Sequence, residues 1–262
     1  KRDKGGCRLS ILFEKRDGIA YITIHRPEAM NAIDPDTQQQ LMEAFDEYNR
    51  DDALLVAILT GSGEKAFCSG ADLKQLIPRY TEGQKRLEPS EEQFFSHIYK
   101  PIIAAVNGYC LAGGFEMLLG TDIRIAAEHA RFGLPEVKWG LVPFAGTHVR
   151  LTRQIPWAWA MELMLTGRQI TAQEALAIGL VNRVVPLGEL MQTAEEVATQ
   201  IKRNGPLAVR TCKEVAVRTS GMPFPMAFYL DSYMSAQVLS SEDAREGPRA
   251  FAEKRPPQFK GK

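Results

Sequence analysis

The chain has few of the residues that hold metals or staple small domains, and it carries no excess charge of either sign. Its four histidines, His25, His97, His129 and His148, lack metal-ligand spacing to one another or to a cysteine. Metal chemistry is therefore not expected. The four cysteines, Cys7, Cys68, Cys110 and Cys212, lie far apart, with no C-x-x-C pair. A disulfide scaffold is excluded, and reduced thiols in a cytosol or organelle matrix are expected. Thirty-two basic residues balance thirty-two acidic ones. That removes the electrostatic signature of a nucleic-acid binder or of a chain held to anionic membrane. The apolar runs Leu54–Leu59 and Ile102–Val106 are strand-sized, far below the ~18 residues of a membrane span. The opening Lys1–Gly6 has no apolar stretch of the secretory type. The expected location is cytoplasmic, or the mitochondrial matrix in a eukaryote, with neither nucleic acid nor membrane as partner.

Several catalytic signatures are missing too. There is no G-x-S-x-G nucleophile elbow and no G-x-x-x-x-G-K phosphate loop. Gly61-Ser62-Gly63 continues Glu64-Lys65-Ala66, without the third glycine of a dinucleotide site.

What is present is ample apolar material, 45% of 262 residues, in an ordered alternation. Ile11–Phe13 and Ile19–Ile24 flank Asp17-Gly18, a hairpin signal. Asp34 and Pro35 open a helix running to Arg50. Leu54–Leu59, Ile102–Val106, Ile123–Ala127 and Val181–Val185 read as strands, the first two covered on both faces. A short helix is expected from Phe115 to Leu119, and residues 74–95 read as a polar, mobile surface segment. Thr171-Ala172-Gln173-Glu174 is a capping box. Helical patterns then occupy Leu187–Arg203, Pro206–Thr219, Pro223–Leu239 and Glu242–Glu253. An α/β fold with a largely parallel sheet and a helical C-terminal region follows.

The chemistry concentrates in three segments. They are Lys65–Lys74, Asn107–Glu116 and Arg131–Glu136. Glycine lets a backbone N–H approach a ligand closely, and a turn feeding a helix leaves N–H groups free. Two such loops side by side can aim two donors at one oxygen, an oxyanion hole suited to a carbonyl becoming an enolate. A nearby carboxylate can move the proton on the adjacent carbon. Taken singly, Glu116 is also a dipole-favoured acid in a first helical turn, and Glu136 an ordinary loop acid. Cys68 and Cys110 lie beside these segments and read as small buried filler.

These segments resemble the signature of the crotonase family, the enoyl-CoA hydratase/isomerase superfamily. The resemblance includes Arg26-Pro27 with Asn31-Ala32, Gly140–Pro143, Leu165–Gly167 and Ala175 through Val181, and it spans nearly the whole chain. It implies a spiral of ββα units over residues 8–200 and a helical trimerisation region over 201–262. The expected assembly is a trimer or a dimer of trimers. It implies an acyl-CoA thioester substrate, no cofactor beyond that coenzyme A, and an enolate held by the amides of Ala71 and Gly113. Glu116 and Glu136 fall at the catalytic glutamates of the hydratases. Ala71, Asp72, Leu73, Lys74 and Gly113 fall at substrate-binding positions, and Arg26, Lys254 and Arg255 are candidates for the CoA phosphates. Residues near Phe251 and Lys254 are expected to reach a neighbour's site. Retention of both glutamates points to syn addition of water to a trans-2-enoyl-CoA. The alternatives are an isomerase, a carnitinyl-type dehydratase and a non-catalytic binding relative.

The chain departs from that pattern in two places. Ala112 replaces the first of three glycines, and Pro143–His148 replaces a more glycine-rich run. Phe144 adds bulk there, leaving acyl size open. Tyr109, Trp139 and Phe144 are expected in the core or a pocket wall.

Overall fold

The computed structural model describes residues 9–83, 86–88, 90 and 92–262; Lys1–Gly6, Cys7 and Pro89 lie outside the described residues. The chain opens as expected with the hairpin β1 (Ile11–Arg16) and β2 (Ile19–Ile24), paired antiparallel with Arg16 opposite Ile19. Asp17 (φ 49°) and Gly18 (φ 74°) both take left-handed backbone, as a two-residue hairpin turn requires. Helix α1 (Pro35–Arg50) starts where Asp34 accepts from the amide of Thr37 at 2.8 Å.

Three units then repeat one pattern. Each places a strand in a large sheet and then a strand in a small one. The pairs are β3 (Val56–Gly61) with β4 (Ala66–Cys68), β5 (Ile102–Val106) with β6 (Tyr109–Leu111), and β7 (Ile123–Ala127) with β8 (Arg131–Gly133). Short helices α2 (Ile77–Thr81) and α3 (Gly113–Leu118) follow the first two pairs. After the third come α4 (Thr147–Gln154), α5 (Trp157–Thr166), β9 (Gln169–Thr171), α6 (Ala172–Ala177) and β10 (Arg183–Val185). The large sheet has the order β1-β2-β3-β5-β7-β10, parallel beyond the first pair. The small sheet has the order β4-β6-β8-β9, with β4, β6 and β8 parallel.

Alternation along the central strands explains their continuous apolar sequence. Ala57, Leu59, Ala104 and Val106 join the core shared with α1, α3 and the small sheet. Val56, Ile58, Ile103 and Ala105 face the other way, against Leu190, Ala194 and Val197 of α7 (Leu190–Lys202). The strand expected at 54–59 therefore sits two residues later, because Leu54 and Leu55 bond back to Asp51 and Gly18. The expected helix Leu187–Arg203 divides into a 3₁₀ turn and α7. The strand expected at 181–185 begins at Arg183.

Helices α8 (Pro206–Thr219), α9 (Phe224–Leu239) and α10 (Glu242–Ala252) form the C-terminal region. Lys213 of α8 ties it to the large sheet, donating to Asp122 at 2.7 Å and to the carbonyl of Lys100 at 3.1 Å. Glu246 and Asp243 of α10 hold the last residues through Arg255, Gln258, Lys260 and Gly261.

One buried side chain joins the strand-to-strand turns. Asn31, fully buried, accepts from the amide of Arg26 at 2.9 Å and donates to the carbonyls of Ser62 and Ala66 at 3.0 and 2.7 Å. Its φ of 54° is left-handed, which asparagine tolerates better than alanine. Asn31→Ala should cost on the order of 2 kcal/mol, since it removes three hydrogen bonds and, of the backbone groups they serve, only the Ala66 carbonyl keeps a second side-chain donor among the described residues, Asn107 at 3.1 Å. Urea unfolding at fixed protein concentration measures this, and a loss under about 0.5 kcal/mol would show that those groups find other partners.

Candidate active site

Because β4, β6 and β8 run parallel, the three segments singled out in the sequence leave the small sheet at one end. β4 delivers Ser69-Gly70-Ala71, β6 delivers Ala112-Gly113, and β8 delivers Leu134-Pro135-Glu136. The first two loops touch through their backbones. Gly70 has φ +100°, and a Cβ there would lie 2.7 Å from the Cβ of Ala112 and 3.0 Å from the amide of Gly113. Any side chain at Gly70 would push the loops apart. At Gly114 a Cβ would meet the Cys68 carbonyl at 2.3 Å, so α3 sits directly on β4.

The loops also leave two amides, those of Ala71 and Gly113, without a protein acceptor among the described residues. Ile33 brackets the first loop, donating to Gly70 and accepting from Asp72, both at 2.8 Å. Ala71 lies between, and its amide has no protein acceptor among the described residues. Gly113 is the first residue of α3, where helical amides are unpaired. The ideal Cβ position on Gly113 is 3.5 Å from the amide nitrogen of Ala71, so the two donors are neighbours. Ala112, before them, has φ 50° and ψ −128°, a conformation that costs a residue with a side chain about 1–3 kcal/mol. The fold sustains that strain at the point that aims the Gly113 amide.

Glu116 lies one turn into α3 and is buried. Its Oε1 accepts from the amide of Ala145 at 2.7 Å, the hydroxyl of Thr147 at 3.0 Å and the amide of Thr147 at 3.4 Å. Burial raises its pKa, and these donors oppose the rise. Glu136 is half-buried and has an Oε2 without a hydrogen-bond partner. Burial, with the charge of Glu116 adding, pushes its pKa from 4.5 up to about 7. The two carboxyls therefore have unlike environments: Glu116 has three donors on one oxygen, while Glu136 has its own backbone amide and one unpaired oxygen. Together with paired free amides, they can stabilise an oxyanion and move protons beside it.

This chain matches the sequence profile described as enoyl-CoA hydratase/isomerase over residues 14–262. The chain belongs to the enoyl-CoA hydratase/isomerase family. Enoyl-CoA hydratase EchA19 of Mycobacterium tuberculosis is 43% identical over 257 residues, covering 96% of each chain. Carnitinyl-CoA dehydratase of Salmonella typhimurium is 44% identical, covering 97% of this chain and 99% of that one. The solved structure of enoyl-CoA hydratase EchA1 from Mycobacterium marinum superposes with a TM-score of 0.89 at 40% identity, covering 97% of this chain and all of that one. The crotonase fold is thereby established, and its ββα spiral is the alternation of large-sheet and small-sheet strands.

Other expected family positions fall less uniformly. Asp72 accepts from the amide of Lys74 at 3.0 Å and shapes the loop, while Leu73 and Lys74 are exposed. Arg26 does not reach outward to phosphate. It is buried, paired with Asp34 at 2.9 Å and Asp72 at 3.4 Å. Arg255 is likewise engaged, with Glu246 and Glu253, both at 2.6 Å. Trp139 is exposed rather than core, and so is Tyr109, at the opposite end of the small sheet. Two open cavities of about 350 and 430 Å³ lie at that far end, around Glu64 and Lys65. Cys68 and Cys110 are buried opposite one another in β4 and β6, and burial pushes both thiols up. That makes them inert. Of segment 74–95, read from the sequence as mobile, residues 84, 85, 89 and 91 lie outside the described residues, and its two described ends are packed against the fold. Tyr80 meets the ring of Phe144 at 5.4 Å, Phe95 packs on Phe45 at 4.1 Å, and Arg150 donates to the carbonyls of Gln93 and Phe94. The sequence carries no signal for Arg150, and for Ala145 and Thr147 only that their run, Pro143–His148, departs from the family pattern.

The raised pKa of Glu136 has a stability consequence. A carboxyl with a raised folded pKa contributes fully below its unfolded value near 4.5, and that contribution is lost as pH rises through about 7. Glu136→Gln should therefore stabilise the fold above neutrality by on the order of 2 kcal/mol, the gain fading toward about pH 5. Thermal melts of both proteins at several pH values test this, and a gain independent of pH would contradict it.

Proposed function

We propose that this protein is an enoyl-CoA hydratase, adding water syn across the double bond of a trans-2-enoyl-CoA to give the 3-hydroxyacyl-CoA. The observation that carries the reading is the pairing of two neighbouring unpartnered amides with two carboxyls whose environments separate their proton affinities. The thioester oxygen is taken to sit between the amides of Ala71 and Gly113. Conjugation sends charge onto that oxygen as water attacks C3, so donors placed there act most strongly in the transition state. Glu116, ionised and held by three donors, accepts the proton of the attacking water. Glu136, protonated near neutrality, supplies the proton to C2. The carboxyls carry one negative charge between them before and after the step. Coenzyme A enters as part of the substrate, and Asp72, Leu73 and Lys74 lie where it would pass the first loop.

The dehydratase reading has its own support in the carnitinyl-CoA dehydratases at 44% identity. The same groups run the reaction in either direction, so the two readings differ in acyl group rather than in machinery. Phe144, next to the Ala145 amide that holds Glu116 and against Tyr80, adds aromatic bulk on this side of the site. A panel of enoyl-CoAs of graded length and branching, with crotonobetainyl-CoA included, distinguishes them. Glu116→Gln and Glu136→Gln should each lower hydration turnover by at least ~10²-fold, read from loss of the enoyl thioester absorbance. Near-normal turnover by either folded variant would remove that residue from the mechanism.

A trimer-based assembly belongs to the same reading. Phe224, Met226, Phe228, Tyr229, Tyr233 and Leu239 of α9 are all more than half exposed, and Ala227 is its buried residue among those described. So much exposed apolar surface on one helix supports a partner surface rather than a helix buried within one subunit. Phe251 and Lys254 are exposed in the same C-terminal region, available to a neighbouring copy. Light scattering at micromolar concentration should give a mass near a multiple of three 29.2 kDa chains; a fully active monomer would rule the assembly out.

A further inference from the structure

We propose that Thr147 is a positioning residue for Glu116, its hydroxyl fixing Oε1 so that Oε2 alone is presented to the reacting water. The inference rests on the hydratase reading for its kinetic consequence but on geometry for its substance. A carboxylate can exchange its two oxygens by rotating about its last side-chain bond. Here the amide of Ala145 and the amide and hydroxyl of Thr147 all converge on Oε1. That removes the exchange and decides which oxygen acts as base.

Local structure explains the convergence. Gly146 takes φ +105°, folding the chain so that the groups on either side of it point the same way. Thr147 is the first residue of α4, so its amide is free to donate outward, and its side chain is fully buried. The helix is itself held in place. One turn on, Arg150 donates to the carbonyls of Gln93 and Phe94 at 3.2 and 2.7 Å and to the hydroxyl of Ser96 at 2.9 Å. The segment that borders the site is thus tied to the helix that grips the base. Among the described residues, three charged or titratable groups act on Glu116. They are Glu136 across the site and His148 and Arg150 on α4. Of the three donors, the hydroxyl is the one a substitution removes while leaving both amides in place.

Thr147→Val keeps the shape and deletes the donor, and Thr147→Ser keeps the donor. Hydration of crotonyl-CoA, or of the best substrate of the panel, should show kcat lowered on the order of 10-fold in Thr147→Val with KM within about twofold. Losing a donor to the charged form raises a carboxyl pKa, so the acid limb of the pH profile should move to higher pH. Thr147→Ser should restore both. Infrared titration of the Glu116 carboxylate, assigned with Glu116→Gln, reads the same bond without turnover. Should Thr147→Val fail to fold, Thr147→Ala replaces it. Wild-type kcat, limb and infrared titration in the variant would overturn the proposal, as would Thr147→Ser behaving like Thr147→Val. If the wild-type protein hydrates no enoyl-CoA, the hydratase reading fails, and an infrared pKa rise in the variant still upholds the positioning bond.

Discussion

The arrangement depends on the backbone contact between the loops after β4 and β6. Gly70 and Gly113 lie so close that no side chain fits at the first without displacing the second. That contact sets the spacing of the Ala71 and Gly113 amides. It also places α3 on β4, and through α3 it fixes Glu116. Parallel pairing of three-residue strands makes it possible, because it brings successive loops out at one edge. A strained Ala112 is tolerated there because β6, α3 and the carbonyl of Gly133 constrain it from three sides.

Electrostatics follow from the same geometry. α3 carries Glu116 into a buried position where the 145–147 turn can meet it with donors. The 3₁₀ turn after β8 brings Glu136 to the same place without such donors. Burial raises both carboxyls, that of Glu136 up to about 7, while the donors of the 145–147 turn oppose the rise on Glu116. Neither acid has a cation as hydrogen-bonding partner among the described residues. Arg26, the buried cation nearest the loop, is spent on Asp34 and Asp72. Its work is to hold the 26–34 turn against the first loop, so a charge that resembled a phosphate ligand in the sequence is structural.

The two faces of the large sheet serve different ends. One supports the small sheet and the site. The other is closed by α7, which leaves α8 to α10 attached by few buried contacts and by polar ties such as Lys213 to Asp122. Helix α9, apolar around much of its circumference, packs on α8 and α10 and leaves most of its large apolar side chains exposed in the single chain.

Much was legible in the sequence where the signal is local. The Asp17-Gly18 hairpin, the Asp34 cap with Pro35, the capping box at Thr171 and the doubly covered runs of β3 and β5 each obey rules that neighbouring residues enforce. The order and spacing of the three glycine and glutamate segments pointed to the family and to Ala71, Gly113, Glu116 and Glu136. Tertiary structure decided the rest. Strands of three residues, β4, β6, β8 and β9, show no periodicity and exist because neighbours pair with them. Helix α5 is apolar on every side and so shows no helical period in the sequence, and α4 begins at an ordinary threonine without a side-chain cap. Whether Arg26 reaches solvent or two half-buried carboxylates depends on residues 8 and 46 positions away, and no local pattern encodes that. The same holds for Thr147, whose meaning arises when a turn 31 residues beyond Glu116 folds back onto it. Sequence specifies which groups are available; burial and hydrogen-bond donors, set by the whole chain, determine how each carboxyl's proton affinity is shifted.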